Sequence, residues 1–291
     1  MIPPALRAAL EARLGPVRGA TAVGGGCINH GLRVELADGP VFVKHNAQAL
    51  AGMFAAEARG LEALAAAAGD ALVVPHVLHV GGADGDAPAW LALEWLEPGG
   101  RGADHAERLG RGLAALHRAA AQGWGAEEDN FIGSLPQSNR PAASWVEFWR
   151  ERRLQPQLET ARRAGRMPGA ARDWERLCAR LPELLAAGDE DGPSLLHGDL
   201  WGGNVMAAAR GPALIDPAAY RGHREADLAM AELFGGFSAR FFAAYGEAWP
   251  LLPEAPRRRV VYQLYYLLVH VNLFGGGYVA QTAEALRRAV A

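Results

Sequence analysis

The rhythm of hydrophobic and polar positions changes once along this chain, near residue 98. Before it, apolar residues alternate or gather in short runs: Leu32-Arg33-Val34-Glu35-Leu36, Val41-Phe42-Val43, then segments 73–80 and 90–96. A period of two predicts half-buried strands, and short apolar runs bounded by turn residues predict strands as well. Segment 20–44 reads as a hairpin, a turn and a further strand, with Lys44 at the end of the third strand, and one Ala- and Leu-rich helix, 53–68, follows it. Pro98-Gly99-Gly100 then breaks the chain after a strand, as a hinge would. Beyond Arg101 the period becomes helical: Leu109, Leu113 and Leu116 share one face of a helix that His117 ends. Segment 162–180 reads as an amphipathic surface helix interrupted by Met167-Pro168-Gly169, and 227–291 as several helices. Among the latter, 260–273 is strongly apolar and carries Tyr262, Tyr265, Tyr266 and His270. The pattern predicts an α+β chain in two parts, a small sheet-bearing unit over 1–97 and a larger, mostly helical unit over 98–291. It shows no internal repeat, low-complexity linker or third domain.

Composition narrows the picture. A chain of 291 residues that is 50% hydrophobic buries a substantial core and suits a two-lobed enzyme better than a small binding module. A formal charge of -3 gives no electrostatic reason to expect nucleic acid or an anionic membrane as partner. No uninterrupted apolar run of ~18 residues and no secretory pattern at the start is present, so a cytoplasmic location is expected. The two cysteines, Cys27 and Cys178, are far apart and have no CxxC spacing, which argues against a zinc site or structural disulfide. Cys178 reads as a helix core residue. Cys27 lies in a glycine-rich turn, as either an unreactive loop residue or a redox-sensitive thiol that could join two subunits; monomer and homodimer both stay open.

The chemistry concentrates in Leu195-Leu196-His197-Gly198-Asp199-Leu200-Trp201-Gly202-Gly203-Asn204, followed after the strand-like stretch 205–215 by Asp216-Pro217. A base, an Asn five residues on and a second Asp after a strand suit phosphoryl transfer from ATP, which needs one proton acceptor and hard oxygens facing Mg²⁺. Asp199 is the candidate base, and Asn204 and Asp216 the candidate metal ligands. Gly198, Gly202 and Gly203 let the loop turn tightly. HGD and IDP are also ordinary turn sequences; their order and the stretch between them favour the catalytic reading.

A second cluster, Gly24-Gly25-Gly26-Cys27, precedes Lys44 and Glu57. A glycine run alone is most often a plain loop. Here it is followed by a lysine at a strand end and a glutamate on the next helix, a pairing that resembles the phosphate-binding lysine and helix glutamate of kinases.

Taken together, GGGCINHG, GPVFVKHN, AEARGLEAL, LLHGDLWGGNV, IDPAAYRGHREADLAM and FGGF resemble the fructosamine kinase, or ketosamine 3-kinase, family, from about Thr21 to Tyr278. Segment 129–137 (DNFIGSLPQ), the run 145–149 (WVEFW) and 152–158 (RRLQPQL) strengthen the resemblance, while His30 departs from the small or acidic residue expected in the nucleotide loop. The resemblance implies a protein-kinase-like fold with an antiparallel sheet and one main helix in the nucleotide-binding lobe. It implies ATP-dependent phosphorylation of the 3-hydroxyl of a ketosamine, followed by loss of the unstable product and deglycation. Asp199 would take the proton, Asn204 and Asp216 would hold Mg²⁺, and Lys44, held by Glu57, would bind phosphates. Backbone groups of Glu94, Trp95 and Leu96 would read adenine, with a core role for Trp95 equally open.

For the acceptor, Trp201, His223, Glu225 and Tyr278 are the candidates, with Trp149 further away; an acidic group is expected to face the amine. Asp227 would brace the catalytic loop, and His117 would position it. The alternatives are an aminoglycoside, choline or other small-alcohol kinase of the same superfamily, or a pseudokinase, although the base, both metal-facing residues and the lysine are all present.

Overall fold

In a computed structural model, residues 2–24, 29–119 and 121–290 are described. The chain opens with a helix the hydrophobic pattern did not announce, α1 (Pro4–Leu14), then β1 (Gly19–Val23), β2 (His30–Leu36) and β3 (Gly39–Asn46). Helix α2 (Met53–Ala68) occupies the predicted span, and β4 (Val77–Gly81) and β5 (Ala89–Glu94) complete an antiparallel sheet of order β1-β2-β3-β5-β4.

Alternation along the strands sorts side chains to the two faces. Leu32, Val34, Val41, Val43, Trp90 and Ala92 pack with Leu6 and Leu10 of α1. Leu91 and Leu93 of the same β5 turn to the other face, against Phe54, Leu61 and Leu64 of α2. A strand covered on both sides reads as a continuous apolar run, which is why 90–96 carries no alternation.

Helix α3 (His105–Arg118) buries Leu109, Leu113 and Leu116, as its period predicted. A short hairpin follows, β6 (Asn130–Ile132) and β7 (Leu135–Gln137). Helix α4 (Trp145–Phe148) continues through a π-helical turn at Trp149–Leu154 into α5 (Gln155–Arg163). Then come α6 (Ala171–Asp191) and β8 (Ser194–Leu196). The break between α5 and α6 spans the predicted Met-Pro-Gly interruption.

Segment 205–215, expected as one strand-like stretch, is a hairpin of β9 (Val205–Ala208) and β10 (Gly211–Leu214). The turn at 209–210 divides the apolar run, and Gly211 takes φ +139° there. Strand β11 (Tyr220–Gly222) pairs with β8, and α7 (Glu225–Phe234), α8 (Ala239–Ala248), α9 (Ala255–Phe274) and α10 (Gly277–Val290) close the chain. Tyr262, Tyr265 and Tyr266 of α9 sit in the main helical core with Trp145, Phe148 and Trp149. No helix among the described residues is long and apolar enough to cross a membrane.

Candidate active site

A cleft of about 830 Å³ opens between the five-stranded sheet and the helices. Its floor is the 197–204 loop. His197 is fully buried, and burial holds its imidazole below the usual pKa and so neutral. Its Nε2 lies 2.9 Å from the Ile215 carbonyl, an oxygen that can only accept, so Nε2 carries the hydrogen and Nδ1 accepts from the Asp199 backbone N–H at 3.2 Å. The imidazole therefore fastens the loop to the chain just before Asp216. Asp227, on the first turn of α7, accepts from the backbone N–H groups of His197 and Gly198 at 2.7 and 2.9 Å. His117 lies 3.2 Å from Asp227 and 2.9 Å from the Tyr245 hydroxyl. Both residues brace the loop, as expected for them.

Two glycines explain how tightly the loop packs. Gly198 has φ +80°, and a Cβ there would stand 2.1 Å from the Ala218 carbonyl oxygen. A Cβ on Gly202 would stand 2.8 Å from the Gly236 Cα, so the FGGF stretch is backbone pressed against catalytic-loop backbone. At Gly203 the missing side chain leaves room for the Trp201 indole, which is 37% exposed at the cleft mouth.

Asp199 accepts from Asn204 Nδ2 at 3.0 Å through Oδ2, and its Oδ1 has no hydrogen-bond partner among the described residues. Burial pushes its carboxyl up, Asn204 offsets part of this, and the carboxylates of Asp216 and Asp227 add to the rise, leaving it at about 7. A carboxylate that ionises near neutrality and has one free oxygen at a cleft floor can receive a proton from a bound hydroxyl.

Asn204 turns its Nδ2 toward Asp199 and the Asp216 carbonyl, which leaves Oδ1 for the cleft. Asp216 adopts φ +57°, a strained conformation for a non-glycine residue, and offers a second oxygen beside the one held by Lys44. Lys44 reaches Asp216 at 2.6 Å and Glu57 at 2.7 Å. Burial opposes its charge, but the two carboxylates outweigh burial and hold its pKa above the usual range. The ammonium is therefore fixed in the charged form at the back of the cleft.

The cleft brings together Gly24, Lys44, Glu57, Glu94, Trp95, Leu96, Asp199, Trp201, Asn204, Asp216 and Tyr278. Gly25, Gly26 and Cys27 lie outside the described residues. Glu94 also pairs with Arg210 at 2.5 Å, and Arg33 lies 5.1 Å from the Trp95 ring. His30 starts β2 with its ring 5.3 Å from that of His45.

Three expectations are corrected. His223 is fully buried between the Tyr262 hydroxyl, at 2.7 Å, and Asp191, at 3.2 Å, and does not line the cleft. Glu225 forms a buried pair with Arg258, at 2.6 and 2.8 Å, so it is not the acid expected to face an amine. Trp149 is fully buried in the aromatic core.

The cleft-lining residues that the sequence did not place there include aromatic rings from α7 and α9 and the β6–β7 hairpin. Phe234 stacks on His270 with ring centres 4.3 Å apart, and Tyr278 lies 4.9 Å from the same ring. His270 Nδ1 donates to the Tyr266 carbonyl at 2.8 Å, and burial lowers its pKa. Phe274 and residues 130–133 line the cleft too. The available signals were a histidine in the apolar 260–273 run and segment 129–137, singled out for its resemblance but given no place in the site.

The fructosamine kinase family model matches residues 6–291. The chain belongs to that family. Membership makes it a phosphotransferase. A Synechocystis protein named as a probable ketoamine kinase is 43% identical over 273 residues, 92% of this chain and 88% of its own length. The mouse ketosamine-3-kinase is 36% identical, covering 91% and 92% of the two chains. The crystal structure of a Thermobifida fusca protein assigned as a fructosamine-3-kinase superposes with a TM-score of 0.85 at 40% identity, over 98% of each chain. The family thus spans both the sheet and the helices that form the cleft.

Proposed function

We propose that this protein transfers the γ-phosphoryl group of ATP to the 3-hydroxyl of a ketosamine, a sugar carried on an amine by glycation, and that the product then eliminates to free the amine. The observation that carries the reading is the single cleft that holds Asp199, Asn204, Asp216 and the Lys44–Glu57 pair. The names of the relatives supply the acceptor class.

Asp199 orients the attacking hydroxyl through its free Oδ1 and takes its proton. Lys44 binds phosphate oxygens with a charge fixed by Glu57. The strand-end segment 94–96 receives the adenine. Asn204 Oδ1 and the second Asp216 oxygen suit Mg²⁺, which keeps waters and phosphate oxygens in its shell and needs few protein ligands. When bound, Mg²⁺ neutralises phosphate charge. The acceptor end is walled by Trp201, Phe234, His270, Phe274 and Tyr278, faces that suit sugar C–H surface and a single ammonium through cation–π attraction. The cleft carboxylates among the described residues are Glu57, Glu94, Asp199 and Asp216, too few at that end for a polycationic aminoglycoside.

The test is ATP consumption with Mg²⁺ and ribulosyl-lysine or fructosyl-lysine, with aminoglycosides and choline in parallel. Turnover on a ketosamine is expected, and Asp199→Ala should lower kcat by about 10²–10⁴-fold, the usual contribution of a general base. Turnover on another alcohol alone would refute the acceptor assignment.

A further inference from the structure

The β6–β7 hairpin contributes a wall of the cleft through residues 130–133, yet it lies far in sequence from both the base and Asp216. What ties it to them is a buried chain of side-chain amides. Asn130 Nδ2 donates to the Ala219 carbonyl at 3.0 Å; Gln137 Nε2 donates to Asn130 Oδ1 at 2.8 Å; and the Tyr265 hydroxyl of α9 donates to Gln137 Oε1. Asn130 and Gln137 are cross-strand partners and only 8% and 3% exposed.

The direction of this chain is forced. A backbone carbonyl only accepts, so Ala219 must face the Asn130 NH₂ group. That leaves Asn130 Oδ1 toward Gln137, which must then present its own NH₂ group and leave Oε1 for the tyrosine. Every polar atom along the line is thereby satisfied in one arrangement, the condition under which a buried network rigidifies its surroundings.

The segment it grips is the one that follows the strained Asp216. Pro217 has no N–H to give, and Ala218 N donates to the His197 carbonyl at 2.9 Å. Ala219 is thus fastened to the hairpin, while Ala218 is fastened to the catalytic loop.

We propose that Asn130 is a positioning residue for the acceptor: its side-chain amide holds the 131–133 wall of the cleft in fixed register with segment 216–219. The acceptor hydroxyl is then presented to Asp199 and to the Asp216 side of the site by one rigid frame. The amide chain itself makes no hydrogen bond to Lys44, Glu57 or segment 94–96, and it grips the segment at Ala219, three residues beyond the Asp216 that Lys44 holds, so its loss is expected to weigh on the acceptor more than on the nucleotide. The inference rests on the acceptor-kinase reading above.

The experiment compares the purified full chain with Asn130→Asp, which keeps the shape and the acceptor for Gln137 but removes the donor to Ala219, and with Tyr265→Phe at the far end. Wild-type turnover on ribulosyl-lysine or fructosyl-lysine is established first; if both are inert, the acceptor reading fails and the positioning role is refuted with it. With wild-type turnover in hand, Asn130→Asp should lower kcat/KM for the acceptor tenfold or more. ATP KM and the slow hydrolysis of ATP without acceptor should stay within twofold. Tyr265→Phe should shift acceptor kcat/KM in the same direction by a smaller factor. Equal losses for acceptor and ATP, or a lower active fraction with unchanged KM values, would mean a structural role only and overturn the proposal. Should Asn130→Asp not fold, Tyr265→Phe decides: unchanged acceptor kinetics refute the positioning role.

Discussion

Asp199 shows how a catalytic residue works against the stability of its own fold. Its carboxyl is raised from an ordinary value near 4 to about 7, because burial disfavours the charge and the Asp216 and Asp227 carboxylates add to that effect, with the Asn204 hydrogen bond and the Lys44 charge opposing. Between those pH values the folded chain holds a proton that the unfolded chain has lost, so this residue's contribution to stability falls as pH rises through the window. Asp199→Asn removes the charge and keeps an oxygen for Asn204. In metal-free buffer it is expected to melt at a higher temperature than the wild type at pH 8, with the difference vanishing near pH 4, while turnover is lost. Equal melting temperatures at pH 8 would contradict the burial argument. The residues with this kind of chemistry were legible in the sequence because spacing carries it: Asp199, Asn204, Asp216, Lys44 and Glu57 all meet in one cleft. His223 and Glu225 were misread for the converse reason. A polar residue next to a motif is indistinguishable, in sequence, from one that turns inward to satisfy a buried partner such as Tyr262 or Arg258.

Among the elements, the catalytic loop and the 234–237 turn are bound by backbone contact rather than by side chains. Gly202 N donates to the Gly235 carbonyl at 3.2 Å, and a Cβ built on Gly236, where φ is +91°, would stand 2.6 Å from the Gly202 Cα. No flexible group is available to yield there. Gly236→Ala should therefore displace one loop from the other and lower kcat, and the positive φ alone should cost about 1–2 kcal/mol of stability, read by denaturant titration. Gly235→Ala is the informative companion: its φ is also positive, at +74°, but its Cβ meets nothing within 4 Å, so it should share the strain and spare more of the activity. Element periods were easy to read where one face is buried, as in α3, and hard where burial is two-sided or divided. Helix α1 passed unnoticed because only Leu6 and Leu10 are buried along it, and the 205–215 run hid a turn at 209–210 because both of its strands are apolar.

Across the whole molecule, the helical part is fastened by a buried charged knot. Asp191, at the end of α6, pairs with Arg224 at 2.5 Å and His223 at 3.2 Å, and Arg224 also donates to the carbonyls of Trp249 and Pro250. Burial pushes the Asp191 carboxyl up, but the hydrogen bonds from His223 and Arg224 outweigh it and hold its pKa below the usual value. Its stabilising contribution is therefore present above the ordinary carboxylate range and is lost as pH falls through the lowered value. Asp191→Ala, which strands a buried guanidinium, should cost about 3–5 kcal/mol at neutral pH, with a smaller difference in strong acid; urea titrations at the two pH values check both.

The β9–β10 hairpin is bonded to both sides of the cleft at once. Val73, before the sheet's β4, exchanges hydrogen bonds with Pro212 and Leu214, while Gly99 and Glu97 at the chain break bond Ala207 and Ala209. Four backbone hydrogen bonds thus tie Val73 and the 97–99 break to one two-stranded ribbon. Asp216 comes two residues after the ribbon ends, so the carboxylate that meets Lys44 hangs from the same strap that joins the two walls of the cleft.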